Sequence, residues 1–275
     1  MDTSPDLGVS DPRRAHPKDI TMTDTPQFVL EERHGPVTLI SLNQPDRYHV
    51  LSYLLRLQLA EAMDRAEADS EVRAIVLTGT GRKAFCAGGD LKEMTDPTLR
   101  PQPKSPEDSR KAGLATDRLR TTTLPVVAAV NGVAYGGGAS LATNCDIRLA
   151  SSTATFRFPG SEMGLVVGAA ALPRLVGAAR AKELIFTGRA FSAQEAYQWG
   201  FVNEVYAPDE LVPRALEMAQ IIAKGSASAM REAKQIIDLA IVEAERMQAD
   251  ANKRLRDSPE QAARAAAMRT KITGS

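Results

Sequence analysis

Short apolar runs alternate with helical patterns along the first two thirds of the chain, and this alternation restricts the fold most. Five runs are apolar and rich in β-branched residues: VTLISLN (37–43), VRAIVLTG (72–79), PVVAAVNG (125–132), CDIRLASS (145–152) and TFRF (155–158). Between the first two, apolar residues recur at helical spacing after Ser52, a candidate N-cap. A further helix is predicted from Pro106 to Thr122. Strands that alternate with helices predict an α/β fold with largely parallel pairing.

The last third of the chain is predicted to be mostly helical. Its helical stretches from residue 169 are ALPRLVGAARAKELIFTG, SAQEAYQWG, DELVPRALEMAQIIAKG, SASAMREAKQIIDLAIVEAERMQAD and SPEQAARAAAMRT, with the short strand-like FVNEVY (201–206) among them. The first 26 residues are rich in Pro, Asp, Ser and Thr and predict a disordered tail. We therefore expect a tail (1–26), an α/β core (27–206) and a helical C-terminal region (207–275).

Charge and composition argue against several classes of partner. The chain has 34 Lys and Arg and 34 Asp and Glu, so no net field favours nucleic acid or a membrane surface. Its apolar runs are far shorter than the roughly 20 residues of a transmembrane helix, and the N-terminus lacks the apolar region of a secretory signal. Cys86 and Cys145 form no disulfide framework and lack metal-ligand spacing. We expect a cytoplasmic protein without a metal site.

Two glycine-rich stretches interrupt the packing pattern in the same way. FCAGGD (85–90) follows the strand at 72–79, and YGGGAS (135–140) follows the strand at 125–132 and opens a helix. Ligands gather at the ends of strands in α/β sheets, and a helix N-terminus carries free N–H groups. If the loops lie side by side, one N–H from each can bind a single oxygen atom. The alternative is two tight turns where a helix packs on a strand.

Longer motifs resemble one family. The stretches LNQPDRYHVLS, AIVLTGTGRKAFCAGGDLKEM, PVVAAVNGVAYGGGASLATNCDIRLASSTATFRFPGSEMGL and RLVGAARAKELIFTGRAFSAQEAYQWGFVNEV are similar, in order and spacing, to the crotonase, or enoyl-CoA hydratase/isomerase, superfamily. The resemblance implies a spiral of ββα units and a helical C-terminal region that drives formation of a homotrimer, often paired into a hexamer. It also implies a coenzyme A thioester as substrate and no separate cofactor.

The resemblance also assigns roles to residues of the first glycine loop and its partner. The backbone N–H groups of Gly89 and Gly137 would form an oxyanion hole for the thioester carbonyl. The adenine and pantetheine of CoA would lie along Ala87, Gly88, Asp90 and Leu91. Arg47 is expected near the CoA phosphates, with a solvated surface arginine as the equal alternative.

The chain departs from the family pattern at its acid/base positions. Hydratases of the family carry one glutamate after the glycine run and a second after the proline of the next motif, where this chain has Ser140 and Gly160. A further aspartate used by some relatives is replaced by Gly168. Hydration needs one group to deprotonate water and another to protonate carbon, and neither serine nor glycine is suited to that work. We therefore expect a poor hydratase of straight-chain enoyl thioesters.

Four side chains are candidates to replace the missing carboxylates, each with a structural alternative. Glu162 lies two residues beyond Gly160 and is otherwise a surface carboxylate. Ser140 is a water ligand or a helix-capping hydroxyl. His49 and Tyr135 are possible proton donors, against structural roles at a helix entry and in the core. By contrast, Glu93 is expected to face solvent.

Three functions fit these residues. The first is an acyl-CoA enzyme of hydratase/isomerase type that stabilises an enolate. The second is a specialised C–C hydrolase, decarboxylase or isomerase that uses the same oxyanion hole. The third, outside enzymes, is an acyl-CoA-binding protein that has lost its acid/base pair. The Pro-rich segment from Asp96 to Glu107 is expected to form a mobile loop over the acyl pocket.

Overall fold

The computed structural model describes residues 26–239, 242–256 and 258–273, so almost all of the predicted tail lies outside it. The strands of these residues are Val29–His34 (β1), Val37–Leu42 (β2), Ala74–Gly79 (β3), Ala84–Cys86 (β4), Val126–Val130 (β5), Val133–Tyr135 (β6), Ile147–Ser151 (β7), Thr155–Arg157 (β8), Phe191–Ser192 (β9) and Glu204–Tyr206 (β10). The five strand-like runs noted above correspond to β2, β3, β5, β7 and β8.

The strands form two sheets. The larger has the order β1-β2-β3-β5-β7-β10, in which only β1 and β2 pair antiparallel. The smaller has the order β4-β6-β8-β9, with β4, β6 and β8 parallel. The strands β3 and β4, β5 and β6, and β7 and β8 follow each other in the chain. In each pair the first strand belongs to the larger sheet and the second to the smaller sheet. This pairing confirms the predicted α/β fold with largely parallel strands.

The helices are Tyr53–Ala68 (α1), Leu91–Thr95 (α2), Pro106–Thr121 (α3), Gly137–Thr143 (α4), Leu172–Val176 (α5), Ala178–Thr187 (α6), Ala193–Gln198 (α7), Leu211–Ala223 (α8), Ala227–Asp238 (α9), Val242–Arg256 (α10) and Pro259–Thr273 (α11). Ser52 caps α1 as predicted, since its hydroxyl accepts a 3.3 Å bond from Leu55 N. The single helix predicted from residue 171 is wrong: Gly177, at φ +78°, ends α5 and begins α6. None of the described helices combines the length and apolar character that crossing a membrane requires.

The C-terminal helices are attached to the core through polar contacts. Lys234 of α9 is nearly buried, and its ammonium donates to Leu119 O at 3.3 Å, Leu124 O at 3.1 Å and Asp146 Oδ2 at 2.9 Å. Asp146 Oδ2 also accepts a 2.7 Å bond from Val126 N at the start of β5. This ion pair therefore joins α9 to the end of α3 and to the larger sheet.

A second attachment holds the segment that follows β8. The Asn252 side-chain amide of α10 bonds both Val166 N and Val166 O at 2.8 Å, as a neighbouring strand would. Gln248 Oε1, one turn earlier in α10, accepts a 3.0 Å bond from Ala170 N. The path of residues 165–170 is thus fixed by side chains that lie about 80 positions downstream.

Candidate active site

The two glycine loops meet at the ends of β4 and β6. A Cβ built on Gly88, where φ is +96°, would lie 2.6 Å from Tyr135 O and 3.0 Å from Gly137 N. A Cβ built on Gly137 would lie 3.5 Å from Gly89 N and 3.0 Å from Leu51 Cδ1. A side chain on Gly88 would push the loops apart, so glycine at this position permits their close approach. The loops follow the short strands β4 and β6 of the smaller sheet, and the expectation that they directly follow β3 and β5 is wrong.

The glycines of the second loop serve different purposes. Gly136 has φ +52° and ψ −116°, a turn that other residues rarely adopt, and its N–H bonds Arg157 O at 2.9 Å. Gly138 packs α4 directly on β4, since a Cβ there would lie 1.9 Å from Cys86 O. Gly137 is the first residue of α4 and, being the first, has no carbonyl four residues back within the helix to bond its N–H.

The first loop is held by its neighbours. Gly88 O accepts a 2.7 Å bond from Leu51 N, and Ala87 N donates to Tyr48 O at 2.9 Å. Asp90 is buried and caps α2 by accepting a 3.0 Å bond from Lys92 N. Leu91, the first residue of α2, is half-buried.

Arg47 and Asp90 form an ion pair beside this loop. Arg47 Nη2 lies 2.7 Å from Asp90 Oδ2, and the arginine side chain is 41% exposed whereas that of the aspartate is 4% exposed. The two sequence-predicted residues are therefore brought together. The exposed guanidinium places a positive charge next to the first glycine loop.

Ser140 lies in the body of α4 and does not cap it. The N-cap is Gly136, and Ser140 N donates to Gly136 O at 3.0 Å, so the alternative of a capping hydroxyl is wrong. The serine is half-buried.

Glu162 lies in the short 3-10 helix Pro159–Met163 and is paired with Arg157 of β8. Arg157 also donates to Gly188 O, and a Cβ built on Gly188 would lie 2.6 Å from Glu162 Oε1. The carboxylate therefore packs between Arg157 and the end of α6. Its side chain is 31% exposed.

The positions of the two other missing carboxylates are filled by neighbouring atoms. A Cβ on Gly160 would lie 2.6 Å from Leu165 O and 3.0 Å from Val167 N. One on Gly168, where φ is +79°, would lie 2.5 Å from Phe158 Cδ1. Neither site has room for a longer side chain, so the chain around both positions is adapted to glycine.

His49 has a structural role. Its Nδ1 accepts from Gln44 N at 2.9 Å, so the proton is on Nε2, which lies 3.0 Å from Thr80 O and donates to it. Burial lowers the pKa of His49, and the bond to Thr80 acts in the opposite direction. With both nitrogens engaged and the ring 1% exposed, His49 is not available for proton transfer.

Tyr135, at the end of β6, is half-buried, and its hydroxyl lies 3.2 Å from Thr155 Oγ1. Its phenol is therefore engaged with the next strand of the smaller sheet.

Glu93 was missed by the sequence analysis. Both carboxylate oxygens accept from Tyr53 N, at 2.8 and 3.1 Å, so Glu93 binds the N-terminus of α1. Burial raises the pKa of Glu93, and the bond from Tyr53 acts in the opposite direction. The sequence feature that could have indicated this role is the start of α1, because the free N–H groups of a first helical turn need acceptors from outside the helix. The prediction that Glu93 faces solvent is wrong.

Within the described residues no group of three or more His, Cys, Asp or Glu side chains is arranged to hold a metal ion. The candidate site consists of backbone amides, the Arg47–Asp90 pair and apolar side chains. Together with the two-sheet fold, this arrangement places two glycine-rich loops side by side at the ends of the parallel strands β4 and β6.

Comparison with known proteins identifies the family. The family model for enoyl-CoA hydratase/isomerase matches residues 32–270. A short-chain-enoyl-CoA hydratase of Clostridium acetobutylicum is 38% identical over 217 residues, which cover 76% of this chain and 80% of that protein. A 1,2-epoxyphenylacetyl-CoA isomerase of Escherichia coli is 35% identical over 218 residues, covering 78% and 83%.

A solved structure shows the same fold. The enoyl-CoA hydratase/isomerase of Pseudoalteromonas atlantica superposes with a TM-score of 0.78 at 29% identity, covering 89% of this chain and 97% of that one. The chain belongs to the enoyl-CoA hydratase/isomerase family of the crotonase superfamily and is an enzyme of that family. The fold predicted from the resemblance is confirmed.

Proposed function

We propose that this enzyme binds an acyl-CoA thioester and stabilises its enolate with the backbone N–H groups of Gly89 and Gly137. The approach of the two glycine loops, with a Cβ position on Gly137 only 3.5 Å from Gly89 N, carries the proposal. An N–H group aimed at developing negative charge lowers a barrier by about 3 kcal/mol. Gly137 contributes in addition the positive end of a helix.

The proposal extends to the CoA moiety. Its adenine and pantetheine run along Ala87, Gly88, Asp90 and Leu91, and its phosphates approach Arg47. Support comes from the half-exposed Arg47 guanidinium, which Asp90 holds next to the glycine loop. CoA acts here as part of the substrate, and the reaction uses no separate cofactor.

Replacement of Gly137 by proline and by alanine tests the oxyanion hole. Proline is tolerated at the first position of a helix and lacks the N–H. Alanine keeps the N–H and adds a Cβ that lies 3.0 Å from the end of the Leu51 side chain and at an ordinary contact distance of 3.5 Å from Gly88 Cα and Gly89 N. Bound cinnamoyl-CoA, whose absorption shifts when its carbonyl is polarised, is the probe. We expect the shift in the wild type and in Gly137→Ala and its loss in Gly137→Pro. An equal shift in a folded Gly137→Pro protein contradicts the proposal.

Simple hydration is not the reaction we propose. Ser140 and Gly160 leave no carboxylate pair to activate water, so a hydration rate for crotonyl-CoA near that of ordinary hydratases would contradict us. We place isomerisation or another enolate reaction of a specialised thioester first. Glu162 is the proposed proton acceptor, and its pair with Arg157 must open for that role. Exchange of the α-protons of bound butyryl-CoA with D2O, retained in Glu162→Gln, would exclude Glu162.

We also propose a homotrimer, alone or paired into a hexamer. Support comes from large apolar side chains at the end of α9, where Ile236, Ile237 and Leu239 are 64–70% exposed. Such side chains are favoured at subunit interfaces. Light scattering at micromolar concentration tests this, and the mass of a monomer contradicts it.

A further inference from the structure

Tyr53 carries a buried hydroxyl without a hydrogen-bond partner. The residue is 1% exposed, and its Oη bonds no other described residue. A phenol hydroxyl removed from water and left unpaired costs about 1–3 kcal/mol, so such groups are rare and require an explanation. Phenylalanine would fill the same space without that cost. A hydrogen bond to an atom of a ligand would explain why the hydroxyl is kept.

Arg56, one turn further along α1, has the same property. Its Nη1 donates to Ala112 O at 3.2 Å, but its Nε is buried and has no partner among the residues that the structure describes. Residues three apart lie on one face of a helix, so Arg56 and Tyr53 are neighbours. An arginine N–H can only donate, so the complementary ligand atom is an acceptor.

Charged side chains of both signs surround this pair. Arg100 lies over the Tyr53 ring, with Cζ 5.1 Å from the ring centroid. Burial, and secondly the nearby Arg100, lower the pKa of Arg56, and Arg256 acts in the same direction. Glu93 opposes them, and its carboxylate is occupied by Tyr53 N. Asp108 and Glu61 are acidic neighbours of the Tyr53 phenol. One of the two donors belongs to a guanidinium, which forms its strongest hydrogen bonds with an anionic acceptor.

The pair is connected to the glycine loops by short steps. Leu51 and Gly89 form an isolated parallel β-bridge, and Leu51 Cδ1 lies 3.0 Å from the Cβ position of Gly137. Tyr53 follows Leu51 by two residues. On the facing side, Met94 Sδ lies 3.0 Å from the Cβ position of Gly89, and the adjacent Glu93 binds Tyr53 N. The start of α1, which carries the unpaired donors, thus contacts the glycine loops through Leu51 and contacts α2 through Glu93.

We propose that the acyl group carries a carboxylate at the end remote from the sulfur, and that this carboxylate accepts hydrogen bonds from Tyr53 Oη and Arg56 Nε. A carboxylate is a pure acceptor with two oxygens, which matches two donors of which one belongs to a guanidinium. This inference rests on the proposed binding of an acyl-CoA thioester. It adds a substrate class: thioesters of dicarboxylic acids.

Binding of matched saturated thioesters tests the proposal. Isothermal calorimetry compares glutaryl-CoA with pentanoyl-CoA and adipoyl-CoA with hexanoyl-CoA, pairs that differ only in the terminal carboxylate. In at least one of the two pairs, we expect the wild type to bind the thioester with the terminal carboxylate at least about tenfold more tightly than the one without it. One charge-assisted hydrogen bond is enough to provide that difference in affinity. Tyr53→Phe and Arg56→Met should each remove most of that preference while binding of the neutral thioesters is kept.

Two controls make the result specific. Arg110→Met removes an exposed arginine of α3 that pairs with Glu107, and it should leave the preference unchanged. Because the Tyr53 hydroxyl has no partner to lose, Tyr53→Phe should melt no lower than the wild type without ligand.

The outcomes separate this inference from the proposed function. Equal binding within both pairs overturns the inference and leaves the proposed function intact. A preference that survives in both folded variants also overturns it, since the carboxylate is then bound elsewhere. If none of the four thioesters binds, the proposed function itself fails, and this inference fails with it.

Discussion

Substitution of Gly160 tests whether the missing carboxylate can simply be restored. A Cβ at this position would lie 2.6 Å from Leu165 O, about 0.8 Å closer than an ordinary contact of 3.4 Å, and 3.0 Å from Val167 N. Both obstacles are backbone atoms, and Asn252 holds the same segment through Val166. The segment can move only if those bonds are strained or broken.

We expect Gly160→Ala to lower the free energy of unfolding by about 1–3 kcal/mol, the usual cost of overpacking. For a domain of this size, that corresponds to about 2–4 °C in Tm for each kcal/mol. Gly113→Ala in α3 is the matched control, because a Cβ there meets no atom within 4 Å. It should stabilise the protein by up to about 1 kcal/mol through helix propensity. Chemical denaturation and thermal melting measure both variants.

The functional counterpart is the double variant Ser140→Glu/Gly160→Glu. It restores both carboxylates by residue type, but the second has no space, so we expect no gain in crotonyl-CoA hydration. The reasoning is refuted if Gly160→Ala is as stable as the wild type. A gain in hydration of about 100-fold or more in the double variant, the scale of general acid–base catalysis, refutes it equally.

Three further predictions concern the interior. Burial lowers the pKa of His49, so as the pH falls this imidazole is protonated in the unfolded state before it is protonated in the folded state. The unfolding free energy of the wild type should therefore fall as the pH drops below about 6.5. In His49→Asn, where asparagine tolerates the left-handed backbone at φ +52°, denaturation at a series of pH values should show a smaller fall. Burial raises the pKa of Cys86 and of Cys145 to about 12, so neither thiol should react with Ellman's reagent at pH 8 until denaturant is added; fast labelling of the native protein contradicts this. Lys234→Met should cost about 1.5–3 kcal/mol in unfolding free energy, since Asp146 loses its charged partner and two carbonyls lose a donor; a loss below 0.5 kcal/mol would show the pair to be dispensable.

The sequence predicted those parts of the fold that depend on local pattern. The run VTLISLN and the helix capped by Ser52 are where periodicity placed them, because burial on one face selects apolar residues at a fixed spacing. The strands β4 and β6 have three residues each, too few to show a period, so the smaller sheet was not recognised as such. Gly177 lies inside a helical pattern, and its positive φ is decided by packing.

At the candidate site, the sequence indicated which residues take part but not which of them contact each other. The glycines of both loops were identified because their type has few other uses at a strand end. Arg47 pairs with Asp90 because two segments distant in the chain lie side by side. Glu162 pairs with Arg157 because the chain bends between them. The engagement of His49 by Gln44 and Thr80 is equally non-local. The two unpaired donors at Tyr53 and Arg56 are visible only when every neighbour has been placed.

The hydrogen bonds from α10 to residues 165–170, the segment that follows β8, have a bearing on how this enzyme could diverge. Asn252 imitates a neighbouring backbone, and Gln248 secures the same stretch one turn away. Exchanges at these two amides would let residues 165–170, which pack against Gly160 and Phe158, take another path while both glycine loops kept their sequence. The path of this segment is therefore open to change from the last helices of the chain, and a fusion partner or deletion placed there would disturb it before it disturbed the core.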